Sequence, residues 1–244
     1  MKPQKIIKLW VPLAMTWLLM AFEGVFVTGF IARSDNSSYQ LATFGLSFAI
    51  ALILEAPVIM FSTAVTALVE DLKSLHKMRR FTLHINAAVF CLTFIMTSSL
   101  GFFLLHDLFH LQEDLCLSVQ KTLLFFLPWA PAIGVRRFYQ GILLQAQQTR
   151  LIAKGTLFRF LSLLSTCSFL FFLIPNPLSS SEIGAFALSF AVVVEALFIR
   201  QASASSVERV KKKNAPPSTL TYKKILSFYW PLALTSCISL GIHP

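Results

Sequence analysis

The sequence predicts an all-α, polytopic membrane protein, and three observations predict it. Its 244 residues are 56% hydrophobic and only 13% charged, with a mean hydropathy of +0.70, whereas a soluble domain carries about 25% charged residues. Apolar segments follow one another along the chain, each long enough to cross a hydrocarbon core about 30 Å thick. The basic residues fall almost entirely in alternate connections between those segments. A backbone in lipid must satisfy its own hydrogen bonds, so spanning segments of this length are helices.

Seven segments are expected. The first covers 9–32 and follows Lys2, Lys5 and Lys8. A cleaved leader has an apolar stretch of only about 7–15 residues, so this one reads as a retained spanning helix. The second, 41–69, is interrupted by Glu55 and bent at Pro57. The third is 83–105. The fourth, 122–144, holds Pro128, Pro131 and an internal Arg136-Arg137 pair, with kinks expected at the prolines. The fifth, 152–174, stops at Pro175 and Pro177; the sixth is 183–202, and the seventh starts near 225.

Orientation follows from the connections. The N-terminal tail and the connections 70–82, 145–154 and 203–224 hold fifteen Lys and Arg residues, against two, Arg33 and Lys121, in the others. The N-terminus is therefore expected in the cytoplasm, in a cell membrane or bacterial inner membrane. The net charge of +10 is explained by this bias, and a nucleic-acid partner is not expected. Lysine runs can also bind anionic lipid, but orientation alone accounts for those in 206–224.

An internal repeat sets the domain organisation. Lys5, Ile6, Pro12, Leu13, Ala14 and Thr16 recur as Lys224, Ile225, Pro231, Leu232, Ala233 and Thr235, all at an offset of 219. Both copies enter from the same side, so the repeat is parallel with six helices per unit. Residues 1–205 are expected as a six-helix lobe, 206–224 as a basic, solvated cytoplasmic linker, and 225–244 as the start of a second lobe. The first helix ends at Ala32, which maps to position 251, beyond Pro244. An incomplete copy is therefore expected: either the protein continues, or a second copy takes the place of the missing lobe.

Charges inside spanning helices cost about 2.5–3.5 kcal/mol each on insertion scales, so each marks a candidate site. Glu55 lies midway along its segment, beside Pro57, where a proton or cation could be held. The alternative is a carboxyl that only ties helices together. Glu23, just past the middle of the first helix, could relay a proton or pair with an arginine. Arg136 and Arg137 point about 100° apart, so one can line a cavity while the other meets a carboxylate or the phosphate layer. Arg159 could snorkel. Glu195 and Arg200 lie near the cytoplasmic end of the sixth helix, where pairing or snorkelling suffices.

Other chemistries lack their signatures. Cys91, Cys116, Cys167 and Cys237 are scattered, with no metal-ligand spacing. There is no phosphate-binding glycine loop and no catalytic triad, so an enzyme is not expected, and active transport would draw on an ion gradient or a partner ATPase. Asn36-Ser37-Ser38 is a glycosylation sequon if the source is eukaryotic.

Several stretches carry a family resemblance: Trp10-Val11-Pro12-Leu13, Ala42-Thr43-Phe44-Gly45-Leu46-Ser47, Gly141-Ile142-Leu143-Leu144, and most specifically Leu226-Ser227-Phe228-Tyr229-Trp230-Pro231-Leu232-Ala233-Leu234. With six-plus-six parallel halves and a basic central linker, the chain resembles the multidrug/oligosaccharidyl-lipid/polysaccharide (MOP) exporter superfamily, which includes the MATE transporters. In pattern it is most similar to the progressive ankylosis family. The resemblance implies a secondary efflux transporter working by alternating access between two six-helix lobes, with H⁺ or Na⁺ as coupling ion and no other cofactor. Its pathway would include Glu55, Glu23, Arg136, Arg137 and Arg159. The usual MATE carboxylates do not appear at matching positions, and the ankylosis type resembles an exporter of small anions, which agrees with arginines in the fourth helix. The other class to weigh is a non-transporting membrane relic or partner subunit.

Overall fold

Nearly all of the described residues are helical. A computed structural model describes residues 3–172, 178–212 and 220–242, and no strand occurs among them. In order, the helices are α1 (Pro3–Ile31), α2 (Ser37–Ile59), α3 (Phe61–Leu68), α4 (Leu72–Met96), α5 (Ser99–Phe103), α6 (Glu113–Phe126), α7 (Trp129–Gln145), α8 (Thr149–Phe172), α9 (Ser180–Ala202), α10 (Ala204–Lys212) and α11 (Tyr222–Ile242). A π-helical turn, Leu104–Leu108, extends α5. Among the described residues five spans are long and apolar enough to cross a membrane: α1, α2 with α3, α6 with α7, α8 and α9. A sixth is present if α4 and α5, bent by 65°, are counted as one. The seventh expected segment, α11, falls outside that set.

Local chemistry sets the breaks. Asp71 caps α4 by accepting from the Ser74 amide at 2.9 Å while the Ser74 hydroxyl accepts from the Asp71 amide at 3.0 Å. Ser179 and Glu182 form the same reciprocal cap at the start of α9. The second span is interrupted at Met60, three residues after Pro57, and α7 starts directly after Pro128. Pro131 sits in the first turn of α7, where an amide has no in-helix acceptor to lose.

The third segment is not the single straight helix expected over 83–105. Thr97 and Ser98 donate their hydroxyls to the carbonyls of Phe94 (2.8 Å) and Ile95 (2.6 Å), competing with the helical ladder. The Gln120 amide takes the Met96 and Ser98 carbonyls at 3.1 and 2.8 Å. Only a glycine fits at 101, because a Cβ there would lie 2.0 Å from the Met96 carbonyl oxygen.

The basic linker also departs from expectation, since its first part is helical. Val207 and Val210 share one face of α10 and pack on the core, Ser206 is buried and donates to Gln148 at 2.9 Å, and Glu208 pairs with Lys211 at 2.7 Å. Lys211 also holds the Glu208 carboxyl below the usual carboxylate range. The rest of the lysine run and Pro216-Pro217 lie outside the described residues. The last helix begins at Tyr222, earlier than 225.

Helix ends alternate as the charge pattern requires. Gln145 reaches the Val69 carbonyl (2.6 Å), Ser206 reaches Gln148, and Lys77 reaches the Leu220 carbonyl (2.7 Å), which gathers the basic connections at one end of the lobe. Tyr39 bonds Ser118 (2.9 Å) and Gln40 accepts from the Ser181 amide (3.2 Å) at the other end.

The interior packs around α9, buried over 61% of its apolar window, whereas α1 is buried over only 22%. Small residues Gly184, Ala185, Ala187 and Ala191 let neighbouring helices close on α9. Helix α11 lies on α2, α3 and α4. There Tyr229 stacks on Phe61 and donates its hydroxyl to the Pro57 carbonyl, in a turn where in-helix donors run out. Thr16 donates to the Pro12 carbonyl and Thr235 to the Pro231 carbonyl, each at 2.9 Å, the same back-bond that Thr43, Thr66 and Thr93 make in their own helices.

Candidate functional site

Midway through the lobe, five spans bring ionisable side chains together. Glu23 comes from α1, Glu55 from α2, Arg136 and Arg137 from α7, Arg159 from α8 and Glu195 from α9. Three carboxyl groups thus face three guanidinium groups, all buried except Arg137, which is partly exposed.

Glu195 is the hub. It is 0% exposed and accepts from Arg136 at 2.6 Å and from the Thr156 hydroxyl at 3.0 Å, with Arg159 at 3.5 Å. Arg159 also donates to Glu23, so α1, α7, α8 and α9 are joined through two arginines. Its guanidinium lies 5.5 Å from the centroid of the Trp129 ring, a cation–π distance. The Trp129 indole N–H in turn donates to Glu55. Arg137 makes only a 3.5 Å contact with Gln140 and has no carboxylate partner among the described residues.

A cavity of about 200 Å³ opens beside this network, lined by Glu23, Glu55, Trp129, Arg137 and Arg159 with Phe48 closing one wall. The Nε donors of Arg136, Arg137 and Arg159 have no protein acceptor, nor does Arg159 Nη1 within hydrogen-bond geometry. Glu23 Oε1 is likewise unsatisfied. The arginines that carry these buried, unsatisfied donors line the cavity, and a guanidinium fork matches the geometry of carboxylate and phosphate oxygens.

The five residues singled out in the sequence all lie at this cavity. Sequence reasoning missed Glu195, which it assigned to the helix end. It stands fifteen residues into the 23-residue helix α9 and shares a face with Gly184, Leu188 and Ala191, at spacings of four, seven and eleven. A lone carboxylate on the small-residue face of a spanning helix was the available signal. Trp129 and Thr156 were also missed, and nothing in a one-dimensional pattern separates them from ordinary helix residues. No group of three or more His, Cys, Asp or Glu capable of holding a metal occurs among the described residues.

A helical lobe of this architecture has the fold of a MOP-superfamily, MATE-type transporter. The structure resembles "Outward-facing conformation of a multidrug resistance MATE family transporter of the MOP superfamily", with a TM-score of 0.67 and 16% identity, over 98% of this chain and 53% of that one. It resembles equally a MOP superfamily transporter from Pyrococcus furiosus described as having a binding pocket of reverse polarity that suggests a different function (TM-score 0.67, 16% identity, 98% and 53% covered). The chain spans about half the length of these structures. The family model of the progressive ankylosis protein (ANKH) matches residues 3–241, and the chain belongs to that family. No curated protein matches it in sequence.

Proposed function

We propose that this chain forms the first lobe of a secondary exporter that moves a small anionic solute by alternating access, coupled to a proton or Na⁺ gradient. Residues 1–205 form the lobe, 206–224 the connection and 225–244 the start of the second lobe. The N-terminus faces the cytoplasm. The second lobe comes from further chain or from a second copy, because similar two-lobed structures are about twice this length. Arg137 and Arg159 bind the anion, Arg136 and Glu195 hold Arg159 in place, and Glu55 and Glu23 respond to the coupling ion.

One observation carries this reading: three arginines, each with a guanidinium donor that has no protein acceptor, line a cavity that Glu55 also lines. An organic cation would meet Arg137, the one guanidinium of the cluster with no carboxylate partner among the described residues. The reversed pocket polarity described for the Pyrococcus furiosus relative is a precedent within the fold for departing from cation export.

The test is flux through the full-length protein in liposomes, with inorganic phosphate and a small dicarboxylate as anionic probes and an organic cation for comparison. Gradient-dependent flux of an anion is expected. Arg137→Gln should raise the half-saturating concentration about tenfold, the effect of losing one charge-assisted hydrogen bond. Glu55→Gln should abolish the dependence on the gradient. Absence of gradient-driven flux of any anion, or flux of the cation alone, would overturn the proposal.

A further inference from the structure

Helices α4 and α7 run antiparallel and touch where Asn86 Nδ2 donates to the Pro131 carbonyl at 3.2 Å. Gly134 permits the approach, since a Cβ there would lie 1.9 Å from Asn86 Oδ1. Between this contact and the basic end of the lobe, the two helices enclose a wedge of about 400 Å³. Arg79 and Arg80 of α4 and Arg200 of α9 form its rim, with Leu83, Phe138 and Tyr139 as its walls.

We propose that this wedge binds the phosphate headgroup of an anionic phospholipid. The three rim arginines are exposed and make no ion pair among the described residues. Thr82, also lining the wedge, is buried with its hydroxyl unpartnered. The site therefore offers three cations to an anion, with the buried Thr82 hydroxyl beneath them, at the end of the lobe where the basic connections gather.

The apolar surroundings select a lipid over a soluble anion. Leu83, at the mouth, heads an exposed stripe that continues through Phe90 and Phe94 on the same face of α4. An acyl chain lying along this stripe carries its phosphate directly beneath Arg79 and Arg80. The wedge is separate from the central cavity. At about 100° per residue, Val135, Phe138 and Tyr139 lie on the opposite face of α7 from Ile133, Arg137 and Gln140.

Native mass spectrometry of the 244-residue chain in detergent tests the site, titrated with phosphatidylglycerol, phosphatidylcholine or inorganic phosphate. One phosphatidylglycerol should be retained in preference to phosphatidylcholine. Each juxtamembrane cation contributes about 1 kcal/mol, equivalent to about fivefold, so R79Q/R200Q should weaken binding about 25-fold. T82V, which changes no charge, should also weaken it, whereas K211Q/K212Q should leave it unchanged. Exposed arginines can be replaced without disturbing the core, and an unchanged unfolding temperature of R79Q/R200Q in lipid-free detergent verifies this. Equal retention of the two lipids, wild-type affinity in R79Q/R200Q, loss of binding in K211Q/K212Q, or saturation by inorganic phosphate with no lipid retained would each overturn the proposal.

Discussion

Replacing Glu195 by leucine should be among the most damaging single changes in the lobe. Glu195 holds Arg136 at 2.6 Å and Thr156 at 3.0 Å, and it is fully buried. Arg159 retains Glu23 when Glu195 is lost, so the stranded charge is Arg136, itself only 2% exposed and already lacking a partner at Nε. Leaving one member of a buried pair alone costs about 3–5 kcal/mol. The Thr156 hydroxyl adds about 1 kcal/mol, reduced because it can still donate to the Ile152 carbonyl. The expected loss is therefore about 4 kcal/mol, a large share of a typical stability of about 5–15 kcal/mol. Denaturant unfolding in detergent micelles, followed by circular dichroism, would measure it. Adding Arg136→Met should recover most of the loss, since an apolar pair of similar volume replaces a buried ion pair at little cost. Glu208→Leu, which removes an exposed pair, should have no measurable effect. A cost below about 1 kcal/mol for Glu195→Leu, or losses that simply add in the double variant, would refute the view that Glu195 compensates Arg136.

Tyr229→Phe removes the hydroxyl that reaches the Pro57 carbonyl and should cost about 1–2 kcal/mol in the same assay, with Phe61 stacking retained; an unchanged midpoint would show that α11 is not tied to α2 through that bond. Single cysteines at 73 and at 36, in a background lacking the natural cysteines, should label with an impermeant reagent only from the cytoplasm and only from outside, respectively. External labelling at position 73 would reverse the topology.

Much of the architecture was legible because a membrane filters composition so strongly. Long apolar segments can only be helices in lipid, and basic residues in alternate connections announce which helix ends belong together. The Gln145–Val69 and Tyr39–Ser118 bonds join helix ends in the alternation the charge pattern implied. The expected repeat rests on local information alone: Lys5, Trp10 and Pro12 recur as Lys224, Tyr229 and Pro231 at one offset. Intramembrane charge pointed to Glu23, Glu55, Arg136, Arg137 and Arg159 without any knowledge of packing.

What each charge meets was decided only by tertiary structure. Glu195 looked like a helix-end residue because its distance along α9 was legible and its neighbours were not. Its role depends on Arg136 and Arg159, 59 and 36 positions earlier in the chain. Trp129 matters because the close approach of α2 and α7 aims its indole N–H at Glu55. The bend after α4 is likewise set by Gln120, which takes carbonyls from another span, and α10 is ordered where its two valines meet the core. Local sequence determined which helices form and how they alternate, because burial in lipid acts on each segment alone. Pairing of charges acts between segments, and its outcome exists only once the helices have packed.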